Sequence, residues 1–278
     1  MKKILLMQPP VSFKEKAFAL VPDCPHIGLL YLASSLISRG FEVHYLDASD
    51  NSIALNEIAE LLNEKQIDAL CITAMTQNIK GAVQLARFLK ESKTQAKIVL
   101  GGPHLSADPT LLERFPYFDA GITGESEITL PFALRDLFEN KIVGLRKGEA
   151  PMDLDNLPFP ARHIVDHNMY KKRGYWTNAI FATRGCPYRC NFCSIPAIDK
   201  RVRLRSPGSI IEEMQECYGI TKIKMFNFID DALTVNKKFV YDLCEYIHKL
   251  PFRIKWEAQS RVNYIDKPLL TAMKKAGC

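Results

Sequence analysis

Between Lys2 and Phe138 short apolar runs alternate with stretches of helical spacing, and this alternation restricts the fold more than any other feature of the chain. Lys2 to Pro10 (KKILLMQPP) reads as a buried strand stopped by two prolines, and the loop from Val11 to Pro25 is long. Gly28 to Arg39 has the spacing of a helix and ends at Gly40, a residue suited to the position just past a helix. The spacing then predicts strands at Phe41–Asp47, Asp68–Thr73, Lys97–Leu100 and Ala120–Ile122. Helices are predicted between and after them at Ile53–Lys65, Gly81–Glu91, Thr110–Phe115 and Leu130–Phe138. Strands joined by helical crossovers form a parallel, doubly wound α/β sheet.

Ligands of such sheets bind outside the carboxyl ends of the strands. Those ends are small and polar here: Thr73-Ala74-Met75-Thr76, Gly101-Gly102-Pro103-His104 and Gly124-Glu125-Ser126-Glu127. Adjacent glycines admit a bulky ligand close to the backbone, or they simply make a tight turn; the residues alone allow both.

The second half is organised around Phe181 to Pro196 (FATRGCPYRCNFCSIP), where Cys186, Cys190 and Cys193 are spaced CxxxCxxC. Three thiolates on one loop can hold three irons of a four-iron cluster, leaving the fourth open to bind and activate a small molecule. Structural zinc is the main rival, but paired CxxC units and a fourth Cys or His are missing. Nothing at the N-terminus reads as a secretory signal, so the thiols suit a reducing cytoplasm better than disulfides. Trp176–Thr183, Ile223–Ile229 and Ile254–Ala258 are read as three strands, with Ser206-Pro207 opening the helix after the first. Lys200 to Pro207 (KRVRLRSP) is either a phosphate site or an extended segment with one packed and one solvated face. Asp230-Asp231 can hold a cation or ammonium group, or cap the helix that begins near Asn236. Gln259 and Arg261 follow the third strand, and the Arg261 fork can take a carboxylate or a neighbouring acid. Cys244 sits on the core stripe of Phe239, Leu243 and Ile247 and is read as structural; Cys278 receives no role.

The CxxxCxxC loop, with Phe192 before its last cysteine, resembles the radical SAM superfamily. That resemblance implies a 4Fe-4S cluster on Cys186, Cys190 and Cys193, with S-adenosylmethionine chelated by the open iron and its adenine against Phe192. It further implies that Asp230, Asp231, Gln259 and Arg261 serve the amino and carboxylate groups. An electron from a flavodoxin or ferredoxin would cleave the sulfonium, and the resulting 5′-deoxyadenosyl radical would take hydrogen from a small-molecule substrate. Met1 to about Asn140, through PHIGLLYLASSL, LGGPH and ITGESE, resembles the Rossmann-like cobalamin-binding domain found ahead of many radical SAM domains. By that resemblance Thr73, Met75, Thr76, Gly101, Gly102, His104, Gly124 and Glu125 line the cobalamin site. The usual DxHxxG of a cobalt-ligating loop is replaced by Asp23-Cys24-Pro25-His26-Ile27-Gly28, which predicts no axial histidine from that loop.

At 278 residues the chain can hold two cores. The expected division is a first domain over 1–145, a Pro- and Asp-rich linker over 146–174, and the first half of a radical SAM βα barrel over 175–278. The strand count falls short of such a barrel, which predicts a truncation. The net charge of +6 forms no basic tail, so nucleic acid is not expected as a partner. No apolar run nears the ~20 residues of a membrane span. Methylation of an unactivated carbon, radical ring closure or rearrangement, and a noncatalytic cobalamin or iron–sulfur module are the functions these residues leave open.

Overall fold

In the computed structural model, the structure describes residues 1–13, 24–50, 52–172, 177–195 and 201–278. Most of the expected Val11–Pro25 loop, Trp176, Pro196 and Lys200 lie outside the described residues. The chain forms two compact units, one of Met1–Pro22 and Gly28–Pro151 and one of Asp23–Ile27 and Met152–Cys278.

The first unit is a six-stranded sheet ordered β2-β1-β3-β4-β5-β6, parallel throughout. Its strands are β1 (Lys3–Gln8), β2 (Glu42–Asp47), β3 (Ala69–Thr73), β4 (Lys97–Gly101), β5 (Ala120–Thr123) and β6 (Gly144–Lys147). All five residues of β3 are buried, as expected of an inner strand covered on both faces. The helices are α1 (Ile27–Ile37), α2 (Leu55–Glu64), α3 (Ile79–Glu91), the short α4 (Pro103–Ala107) and α5 (Leu111–Arg114), and α6 (Thr129–Phe138). On one face Leu85, Ala86 and Leu89 of α3 and Ile58 and Leu62 of α2 join Leu5, Leu70 and Ile98 in one core. Two elements escape the sequence reading. The α4 turn opens directly on Pro103, and β6 alternates half-buried and exposed residues at the sheet edge.

In the second unit a short 3-10 turn (Arg162–Ile164) and α7 (His167–Lys172) precede β7 (Asn178–Ile180). A two-residue strand β8 (Thr183–Arg184) pairs antiparallel with β9 (Arg203–Leu204). Then come α8 (Pro207–Thr221), β10 (Met225–Phe228), α9 (Lys237–Ile247), β11 (Lys255–Ala258) and α10 (Lys267–Lys275). The strands β11, β10 and β7 form a parallel sheet in that order. Ser206 caps α8 by accepting from the Ser209 N–H at 3.2 Å, with Pro207 in the first turn, as the sequence predicts. Asn236 caps α9 itself, accepting from Phe239 N–H at 3.0 Å. The Asp230-Asp231 pair is therefore not needed for that cap.

The segment 201–206 is extended, but two of its arginines supply the packed face while Arg201 is exposed. Arg203 and Arg205 are buried whereas Leu204 is 37% exposed. Arg205 turns inward because Glu213, fully buried on α8, lies between it and Arg162. Arg162 Nη2 donates to Glu213 at 2.6 Å and to the carbonyl of Ala179 at 2.7 Å. Arg205 donates to the other carboxylate oxygen, to the carbonyl of Phe181 at 3.0 Å and to Ser209 Oγ at 2.9 Å. One carboxylate thus binds two forks whose remaining donors take main-chain carbonyls of β7 and the residue beyond it.

Removing the shared anion leaves two guanidinium groups buried against each other. Glu213→Ala is expected to cost about 3–5 kcal/mol, read as a shift in the urea midpoint of the second unit. The triple replacement Arg162→Met, Glu213→Leu, Arg205→Met should recover most of it. A single-variant loss below ~1 kcal/mol would show that the triad carries little of the unit's stability.

Candidate functional site

Two places gather the residues singled out from the sequence, one in each unit. In the first unit it is the carboxyl end of the central strands. A cavity of about 40 Å³ opens there, lined by Thr73, Gly101, Gly102, Leu29, Leu32 and Ser126 among others. Gly102 holds φ +100°, and a Cβ on it would sit 2.6 Å from Ala74 N, so a side chain is excluded where β4 passes β3. His104 N–H donates to the Ala74 carbonyl at 3.0 Å, which ties the first turn of α4 to the end of β3. Thr76 Oγ1 and His104 Nδ1 lie 3.1 Å apart on the exposed rim. Met75 is exposed beside Thr76, its N–H donating to Asn78 Oδ1 at 2.7 Å. Gly124 N–H donates to Ser106 Oγ at 2.8 Å, which fastens the β5 loop that carries Glu125 to α4. The structure therefore brings Thr73, Gly101 and Gly102 to one cavity and pairs Thr76 with His104 outside it. Leu29 and Leu32 from α1 and Leu130 from α6 line the same cavity. Their helical spacing reads as core, and only the three-dimensional packing turns it into a lining. His26 lies just before α1 and is half-buried.

In the second unit the site is the loop that follows β8. Cys186 and Cys190 are half-buried and Cys193 is exposed, and all three are free thiols. Cys193 N–H donates to the Cys190 carbonyl at 3.0 Å, a tight turn between the last two sulfurs. Among the described residues no three His, Cys, Asp or Glu side chains converge at metal-binding distance. The donor set nevertheless fits an iron–sulfur cluster, because it is three unpaired thiols carried on one short exposed turn. The remaining cysteines differ in kind: burial pushes Cys71 and Cys217 up to about 12 and Cys244 up to about 11, and these thiols stay protonated.

Around the loop, Phe192 is 93% exposed. Arg261 is exposed and its guanidinium lies 4.2 Å from the centre of the Tyr188 ring, which in turn packs 5.0 Å from Tyr264. This stack joins the loop to the turn after β11. Gln259 and Asp231 are exposed. The hydroxyls of Thr234 and Ser260 are hydrogen-bonded, linking the segments after β10 and β11. Asp230, read from the sequence as a partner of Asp231 toward a ligand, turns inward instead. It is 1% exposed and accepts the N–H groups of Ala182, at 3.1 Å, and of Thr183. Those main-chain donors carry no sequence signal, which is why the role was not legible beforehand.

The family comparisons agree with this layout. The B12 binding domain model matches residues 18–134 and the Radical SAM superfamily model matches residues 180–278. The chain carries a B12 binding domain followed by a radical SAM domain. An uncharacterised methyltransferase of Pyrococcus horikoshii is 31% identical over 293 residues, covering 99% of this chain and 63% of its own length. The anaerobic magnesium-protoporphyrin IX monomethyl ester cyclase of Cereibacter sphaeroides is 28% identical, covering 91% of this chain and 45% of its own. The chain thus spans from under half to under two thirds of the length of these relatives. Among solved structures, the cobalamin-dependent S-adenosylmethionine radical enzyme OxsB, with aqua-cobalamin and S-adenosylmethionine bound, matches with a TM-score of 0.80 at 16% identity. It is covered over 100% of this chain and 43% of that one, a likeness of fold. Among the described residues no helix is long and apolar enough to cross a membrane.

Burial pushes the Asp230 carboxyl up to about 7, while the Thr183 hydroxyl and the Ala182 and Thr183 N–H groups pull the other way. Unfolded, the same group ionises near ~3.9, so the folded chain holds the proton more tightly. Its contribution to stability is therefore greatest below about pH 4 and falls as the pH rises to about 7, by on the order of 4 kcal/mol. Urea midpoints at about pH 5 and about pH 8 should differ less in Asp230→Asn than in the wild type. Equal pH dependence in the two proteins would mean that Asp230 ionises normally.

Proposed function

We propose that the chain belongs to a cobalamin-dependent radical SAM enzyme that transfers a methyl group to an unactivated carbon of a small molecule. The observation that carries this reading is the CxxxCxxC turn projecting beyond a parallel sheet, in a chain whose other sheet has a glycine-lined cavity at its ligand end. Cys186, Cys190 and Cys193 hold the 4Fe-4S cluster. Phe192, already solvent-facing, meets the adenine of S-adenosylmethionine. Asp231, Gln259 and Arg261, exposed just beyond β10 and β11, take its amino and carboxylate groups. Arg261 exchanges its stack on Tyr188 for the carboxylate or keeps both, since a guanidinium can lie on a ring and donate in its plane.

Thr73, Met75, Thr76, Gly101, Gly102, His104, Gly124 and Glu125, at the strand ends of the first unit, would hold cobalamin. A cavity of about 40 Å³ lies at those strand ends. When bound, the cluster supplies an electron to the sulfonium and cobalamin supplies the methyl carrier. A flavodoxin or ferredoxin delivers the electron, and a reducing cytoplasm keeps the thiols of Cys186, Cys190 and Cys193 free.

The cyclase relative makes ring closure the rival reaction of the same machinery. Anaerobic reconstitution with iron and sulfide should give about four irons per chain, and addition of S-adenosylmethionine and reductant should yield 5′-deoxyadenosine. Cys186→Ala, Cys190→Ala and Cys193→Ala should each abolish it. With substrate present, methyl transfer also releases S-adenosylhomocysteine, whereas ring closure does not. Zinc in place of iron, or no 5′-deoxyadenosine from iron-loaded protein, would overturn the proposal.

A further inference from the structure

The parallel pairing of β7 with β10 ends at Ile180 opposite Phe228, with one further bond from Ile229 N–H to the Ile180 carbonyl at 3.0 Å. Beyond it the chain leaves the sheet and turns to pair Thr183 with Leu204 and Arg184 with Arg203 in an antiparallel ribbon. Strands that part in this way normally leave main-chain N–H groups without acceptors at the fork. Here the next two donors are met by a side chain. Asp230 Oδ1 accepts from both Ala182 and Thr183, and Oδ2 lies 3.3 Å from Ala182 N. The opposite edge is held as well, by Arg205 N–H on the Ala182 carbonyl at 2.9 Å and the Arg205 guanidinium on the Phe181 carbonyl. Gly185, at φ +84°, then turns the chain in a conformation that L side chains rarely adopt, and Cys186 follows. The peptides that Asp230 grips thus lie at the base of the ribbon that leads through Arg184 and Gly185 to the first cluster cysteine.

We propose that Asp230 is the positioning residue of the cluster loop: its carboxylate replaces the missing ladder acceptors at the fork and so sets where Cys186 is delivered. The inference rests on the reading of Cys186, Cys190 and Cys193 as cluster ligands. Asp230 touches neither cluster nor cofactor in this role; it acts through the two peptides and Gly185.

Asp230→Ala removes the acceptor, and Asp230→Asn keeps one oxygen while placing an NH₂ group where Oδ2 now faces Ala182 N–H. Anaerobically reconstituted proteins are compared by iron content and by electron paramagnetic resonance of the reduced cluster before and after addition of S-adenosylmethionine. Asp230→Ala should still bind iron through its three thiols, yet lose the spectral shift that S-adenosylmethionine produces in the wild type. Its 5′-deoxyadenosine formation should fall about 100-fold, the scale of a 1 Å misplacement. Asp230→Asn should restore part of the shift. If Asp230→Ala does not fold, Asp230→Asn carries the test with a reduced shift. A wild-type shift in either variant overturns the role of Asp230. A wild type that takes up no iron overturns the cluster assignment beneath it, so the two failures are told apart.

Discussion

The turn proposed to offer three sulfurs to one cluster lies outside helix and strand, so its geometry comes from the place where it is rooted. In this chain the root is built from buried charge. Glu213 lies fully buried between Arg162 and Arg205, and the spare donors of both arginines reach carbonyls of Ala179 and Phe181. Asp230 meets the N–H groups of the next two peptides from the other side. Buried ions such as Glu213 and its two arginines are seldom a net gain in stability over apolar packing. What they do here is fix the conformation of a segment that leaves its sheet after only three residues.

Both units place their candidate chemistry at the carboxyl ends of parallel strands, for the same reason. Where a strand ends and its crossover begins, side chains and free peptide groups face a crevice without disturbing the core. In the first unit the crevice is made by absence: Gly101 and Gly102 give the close approach, and Thr73 and Ser126 keep the lining small. In the second it is made by exposure, with Phe192, Gln259, Asp231 and Arg261 all reaching solvent beyond the sheet. The aromatic stack of Arg261, Tyr188 and Tyr264 ties the third strand's loop to the first.

The sequence made the sheet of the first unit legible because each strand is a short apolar run and each crossover has a clean 3.6-residue period. It missed β6, whose Gly-Leu-Arg-Lys is an edge strand with one covered side and no apolar run. The arginines of KRVRLRSP were legible as an alternation but not as the buried set, because the partner that draws Arg205 inward, Glu213, lies nearly two turns into α8. The cysteine trio was read from its CxxxCxxC spacing, and Phe192 from the resemblance to the radical SAM superfamily. The place of Asp230 was not, since its partners are peptide groups that every residue possesses. Long-range satisfaction of backbone donors is a property of the fold and leaves no mark in composition.

The claim on which the account depends is that three sulfurs leave one iron unligated by the protein. Mössbauer spectroscopy of protein reconstituted anaerobically with ⁵⁷Fe tests it most directly. One iron of the four should have parameters distinct from the other three, and that iron alone should change when S-adenosylmethionine is added. Four equivalent irons that ignore the added molecule would contradict it.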